Sequence, residues 1–114
     1  MTITRIEPGP RMSQAVVHNN TVYLAGQVGH GDSVAAQSRD ALAQVDRLLA
    51  EVGSSKSKIL TATVWLADMA DFAEMNSVWD AWVDPANPPA RASGEAKLAT
   101  PDYLVEFLII AAVD

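Results

Sequence analysis

No cysteine occurs anywhere in the 114 residues, so neither a disulfide framework nor a thiolate metal site is available. Histidine is nearly as scarce, with only His18 and His30, twelve positions apart. A catalytic zinc usually takes three protein ligands, so no metal is expected. Cations are few. Eight Lys and Arg stand against fourteen Asp and Glu, for a net charge of −6, and only Lys56 and Lys58 cluster. Sequence-independent affinity for a phosphate backbone needs grouped cations, so no nucleic-acid partner is expected. No apolar run reaches the ~20 residues of a membrane span. Residues Met1 to Pro10 hold no apolar stretch of the kind a secretory signal needs. The expectation is a cytoplasmic protein with no membrane partner.

What is present is apolar material, 49% of the chain, enough for one core and one domain over residues 1–114. A domain this small buries only about two-thirds of its unfolded surface, which favours self-association. Gln14 to Val17 and Thr21 to Val28 read as strands. They are joined through His18-Asn19-Asn20, where asparagine tolerates the positive φ of a tight hairpin. Asp32 or Ser33 caps the next element. There Val34, Ser38, Ala41, Val45, Leu48 and Val52 recur at helical spacing, with Leu42 and Leu49 widening the stripe and Gly53 as the stop.

Ile59 to Ala67 is β-branched and apolar and reads as a strand. Asp71 and Glu74 are spaced as a capping box, ahead of Phe72, Met75, Trp79, Trp82 and Val83 at helical spacing. That helix is expected to end at Asp84-Pro85. Two strands close the chain, Ala90 to Leu98 and Tyr103 to Val113. The order is ββαβαββ, an α+β class: one mixed sheet with both helices on one face. The last strand is apolar on both sides, and such a strand must be covered on both. With no third helix available, a second subunit is the expected cover.

Glu106 is the one charged residue between Tyr103 and Val113. An isolated carboxylate among Leu104, Leu108 and Ile110 needs a partner, water or a function. It is either an edge residue reaching solvent, an ion pair with Lys97 or Arg91, or a carboxylate at the floor of a cleft serving as general acid or base. Arg91 follows Pro88-Pro89-Ala90 and shares a strand face with Ser93, Glu95 and Lys97. It is either a solvated residue or a planar guanidinium suited to bidentate capture of a carboxylate. Trp65, Trp79, Trp82 and the methionines read as packing, and His18 as a solvated turn residue. Gly26 and Gly29 belong to no phosphate-binding signature.

Taken in order, several segments resemble the RidA/YjgF family of imine deaminases. They are Ala25-Gly26-Gln27, the helix from Ala41-Leu42 to Gly53, Thr61 to Asp68, Asp71-Phe72 with Met75-Asn76, Pro89-Ala90-Arg91 and Val105-Glu106-Phe107. The hairpin His18 to Tyr23 and the helix Met75 to Val83 are most similar to the short YoaB-like branch. The resemblance covers essentially the whole chain. It implies a chorismate-mutase-like fold and a homotrimer with interfacial clefts. It also implies cofactor-free hydrolysis of small 2-imino acids, such as 2-iminobutanoate and 2-iminopropanoate, to 2-keto acids and ammonia. Arg91 then matches the carboxylate-binding residue and Glu106 the water-activating one. Asn76 and Ser93 fall at positions lining the cleft. Met12 and Ala25 stand where better-studied relatives carry Tyr and Ser, which removes two hydrogen-bonding groups. A larger or more apolar substrate fits that change. The competing functions are a non-catalytic module that senses a carboxylate metabolite through Arg91 and, less in keeping with the acidic charge, an endoribonuclease.

Overall fold

A computed structural model describes residues 2–114. Six strands form one sheet: β1 (Thr4–Pro8), β2 (Ser13–His18), β3 (Thr21–Leu24), β4 (Ile59–Leu66), β5 (Ala90–Glu95) and β6 (Val105–Ala112). The sheet order is β1-β2-β3-β6-β4-β5, antiparallel throughout except for the parallel pair β4-β5. Two helices, α1 (Val34–Glu51) and α2 (Phe72–Trp82), pack on each other and on one face of the sheet.

The observed order is βββαβαββ, one strand more than ββαβαββ. Thr4–Pro8 carries no readable strand pattern because it is an edge strand, with only Ile6 even half-buried and with Pro8 at its end. Proline and charge are tolerated on an edge, where one side of the backbone needs no ladder partner. The closing strands are shorter than the alternation suggests, ending at Glu95 and starting at Val105. Strand β3 likewise stops at Leu24, and Gln27 rejoins the sheet through an isolated bridge to Phe107. Asn19 and Asn20, at φ 51° and 62°, make the β2–β3 turn as expected.

The core lies between helices and sheet. Val45, Leu48 and Leu49 of α1 and Met75 of α2 meet Val64 and Leu66 of β4 and Phe107 and Ile109 of β6, all fully buried. Helix α1 begins at Ser33, whose Oγ accepts from Ala36 N at 3.1 Å. The capping box proposed for α2 does not form. Asp71 caps nothing with its side chain, and Asp68 instead accepts from Ala70 N. Glu74 turns away and accepts from Ala35 N at 3.0 Å. Helix α1 has no acidic residue in its own first turn, so Glu74 supplies the negative charge that the positive helix end favours.

Loops bring two further links. Buried Gln37 of α1 donates to the carbonyls of Gly31 and Asp102 and accepts from Leu104 N at 2.8 Å, fixing the approach to β6. Gly29 lies against that same turn of α1. A Cβ there would meet Gln37 O at 2.4 Å and Ala41 N at 2.7 Å, backbone atoms that cannot give way.

The shortest extent of the fold is 19 Å, two layers rather than three. The sheet face away from the helices therefore stays open. It presents Tyr23 (46% exposed), Trp65 (37%) and Leu108 (39%), with half-buried Ile110 beside them. This is the apolar second face of the last strand, uncovered in a single copy.

Candidate functional site

Strand alternation decides where each candidate points. On β5, Arg91 and Ser93 are level with Ala62 and Val64 of β4, both buried under the helices. Arg91 therefore lies on the helix side. Its guanidinium carbon is 5.2 Å from the Trp79 ring and 5.8 Å from the Phe72 ring. Trp79 is in turn stacked on Phe107, with centroids 6.3 Å apart and planes within 5°. Phe72, Asn76 and Trp79 fall at i, i+4 and i+7 of α2, one stripe of the helix, so Asn76 belongs to the same wall.

This corner is polar but unsatisfied. Five buried side-chain N and O atoms lack a hydrogen-bond partner among the described residues, and three of them are Arg91 Nη1, Ser93 Oγ and Asn76 Oδ1. Buried polar groups are nearly always paired in folded proteins, so a cluster of unpaired ones marks a place where another molecule completes the bonding. A guanidinium flanked by aromatic rings, with an Nη free, has the chemistry to take a carboxylate edge-on.

Glu106 lies on the opposite face. It is directly across from Trp65, on the open side of the sheet, and half-buried. No ion pair or side-chain hydrogen bond engages it among the described residues. The ion pairs present are Arg47–Glu7, Arg47–Glu51 and Lys58–Asp114, so neither Lys97 nor Arg91 neutralises it. Its neighbour is Gly26. The backbone of Gln27 exchanges two hydrogen bonds with Phe107, at 2.7 and 2.9 Å, which brings the preceding glycine alongside the Glu106 side chain. A Cβ on Gly26 would lie 2.3 Å from Glu106 Oε2 and 2.8 Å from its Cδ. Ala25 precedes it, its N–H donating to Gln14 O and its carbonyl accepting from Gln27 Nε2.

The candidates thus form two groups and one outlier. Arg91 and Ser93 lie on the helix side of β5, and Arg91 faces the Phe72 and Trp79 rings of the α2 stripe that includes Asn76. Glu106 lies on the open face against Gly26, which follows Ala25 in the chain. Met12 is 50% exposed in the β1–β2 connection, at the opposite edge of the sheet from β5. Two strand spacings and three residues separate Arg91 from Glu106, roughly 14 Å between Cα atoms by standard sheet dimensions, with the side chains on opposite faces. Within one copy the two do not share a ligand. Sequence alone gives Phe72, Trp79 and Gly26 no role in a site. The first two look like any apolar helix positions, although their spacing with Asn76 is a usable signal. Gly26 matters only through a neighbour distant in sequence. No group of three or more His, Asp or Glu that could hold a metal ion occurs among the described residues, and no helix is long and apolar enough to cross a membrane.

Comparison with known proteins bears on the whole chain. The family model described as "Endoribonuclease L-PSP" matches residues 2–113. A RutC family protein of Haemophilus influenzae is 50% identical, the match covering 97% of this chain and 98% of that protein. The RutC family protein YoaB of Escherichia coli is 48% identical over 99% of this chain and all of its own. A crystal structure of a YjgF-family protein from Neisseria meningitidis superposes with a TM-score of 0.98 at 48% identity, covering 100% of this chain and 97% of that one. With fold, length and motif order all in agreement, the chain belongs to the RidA/YjgF family, the group that the L-PSP model describes.

Proposed function

We propose that this protein hydrolyses reactive 2-imino acids to 2-keto acids and ammonia, without a cofactor, in clefts between the subunits of a homotrimer. The observation that carries the reading is the unsatisfied trio of Arg91 Nη1, Ser93 Oγ and Asn76 Oδ1, coupled with a carboxylate, Glu106, that no cation among the described residues neutralises. Because the two groups occupy opposite faces of one sheet, the reading requires Arg91 from one copy and Glu106 from a neighbour. The open apolar face around Glu106 gives that neighbour a reason to dock.

In the cleft, Arg91 pairs with the substrate carboxylate and fixes its orientation. Glu106 takes a proton from a water as its oxygen adds to the imine carbon. Glu106 returns that proton to the nitrogen, giving a carbinolamine; it then moves the hydroxyl proton to the nitrogen as the carbon–nitrogen bond breaks, so that ammonia departs, the ketone forms and the carboxylate is regenerated. Acid–base assistance of this kind contributes typically ~10²–10⁴-fold, sufficient for a reaction that already proceeds in water. The test is release of ammonia and keto acid from freshly generated imino acids, against the buffer rate. Hydrolysis no faster than buffer, with tight binding of a keto acid, favours a sensor of carboxylate metabolites instead. The family description names an endoribonuclease, but a chain of net charge −6 without a basic stripe is poorly suited to RNA.

A further inference from the structure

Helices α1 and α2 pack on each other, and a groove of about 300 Å³ runs along the seam. It is lined by Arg39 and Leu42 of α1 and by Ser77, Val78, Ala81 and Trp82 of α2. Arg39, Ser77 and Ala81 are exposed, so the groove opens to solvent. The sequence makes this gap. Ser77 and Ala81 stand at i and i+4, one row of the helix surface, and both are too small to fill the space beside Leu42. Leu42 and Val78, 1% and 7% exposed, form an apolar floor, and Trp82 forms one end. The groove belongs to the helix layer, away from the open sheet face. Association of copies over that face leaves it accessible.

The polar groups of the lining narrow what it can hold. The Ser77 hydroxyl donates to Glu74 O at 2.6 Å, and the Trp82 indole N–H donates to Asp46 Oδ2 at 2.9 Å, so both donors are spent. Arg39 is the one charged residue in the lining, and it makes no ion pair among the described residues. Arg47 of the same helix pairs with Glu51 at i+4. Arg39 has Ala35, Ala36, Leu42 and Ala43 at its neighbouring positions, so its helix offers no partner. Lys56, 5.4 Å from the centre of the Trp82 ring, adds a cation at that end, beside the Asp46 carboxylate that the indole holds. A guanidinium with free N–H groups beside an apolar floor matches a ligand with one anionic head and an apolar body. Small-molecule sites form between packed helices, and this volume falls at the small end of their range. We propose that the groove is a second ligand site, separate from Arg91 and Glu106, for a small amphipathic monocarboxylate. The carboxylate pairs with Arg39, and the apolar body lies on Leu42, Val78 and Trp82. The site does not depend on the deaminase reading.

The probes are octanoate and octylamine, one chain length with opposite charges. Each is titrated by calorimetry into the parent, Arg39→Glu, the double variant Ser77→Leu with Ala81→Leu, and Arg91→Lys. A chain of net charge −6 attracts cations in general, so a preference for octanoate requires a local cation. The parent is expected to bind octanoate at a single site, about 10-fold or more tightly than octylamine. Arg39→Glu should reverse that preference. The double variant places good helix formers at exposed positions and fills the groove, so octanoate affinity should fall about 10-fold or more. Arg91→Lys should change it by less than about 2-fold. Absence of octanoate binding in the parent, an affinity that survives both groove changes, or one that is lost in Arg91→Lys overturns the second site.

Discussion

At the scale of single residues, the proposed mechanism divides its work between two charges. In that mechanism Arg91 is the binding group, its guanidinium carbon 5.2 Å from the Trp79 ring and 5.8 Å from the Phe72 ring. Arg91→Lys keeps the charge but loses the fork and its stacking. Keto-acid affinity should fall about 10- to 100-fold, the worth of one charge-assisted hydrogen bond, with the melting temperature unchanged. Titration calorimetry beside thermal melting reads both. Glu106, by the same proposal, acts in the transition state. Glu106→Gln preserves shape yet cannot accept a proton, so turnover should fall ~10²–10⁴-fold while keto-acid affinity stays within about 2-fold. Unchanged turnover in that variant removes Glu106 from the chemistry. Both residues were legible in the sequence because each is conspicuous where it stands: a lone carboxylate in an apolar strand, and an arginine opening a strand after two prolines. Their separation onto opposite faces was not legible. It follows from the pairing of β4 with β5 in parallel and with β6 in antiparallel, and register of that kind depends on residues far apart in the chain.

At the scale of elements, periodicity identified both helices and the strands whose faces are buried, since burial is what imposes the period. It failed where burial does not act. Strand β1 is exposed at nearly every position and carries no pattern to find. The Asp71–Glu74 spacing matched a capping box, but the same carboxylate had a better use at the start of α1, 39 residues away, and tertiary geometry overrode the local motif. Glu74→Ala should therefore destabilise the fold by about 0.5–1.5 kcal/mol, the worth of one hydrogen bond, through the loss at Ala35 rather than through fraying of α2. Gly29→Ala should cost more, about 1–3 kcal/mol, because the new Cβ meets α1 backbone at Gln37 and Ala41. Urea midpoints of the two variants check the size of each effect. Protection of Ala35 and Ala36 amides from exchange, compared with those of α2, shows which helix end loosens in Glu74→Ala. Full protection at Ala35 would show that the Glu74 bond is idle.

At the scale of the whole molecule, a two-layer slab with Tyr23, Trp65 and Leu108 exposed on one face is an incomplete object. The two halves of the candidate site lie on opposite sides of it. The proposed function gives both facts one resolution: copies associate over the open face, and the halves meet across the interface. Light scattering at micromolar concentration should return about three times the 12.2 kDa chain mass. The most direct measurement is complementation between variants. With imino acid held well below saturation, Arg91→Lys and Glu106→Gln are each expected to be nearly inactive as pure assemblies. Refolded together in equal amounts, they form mixed assemblies in which some clefts draw Arg91 from one variant and Glu106 from the other. With random mixing in a closed ring, one cleft in four is intact, so keto-acid production should recover to about a quarter of the parent rate. A mixture no more active than its two components would place Arg91 and Glu106 in the same copy, or outside the chemistry altogether, and would contradict the account.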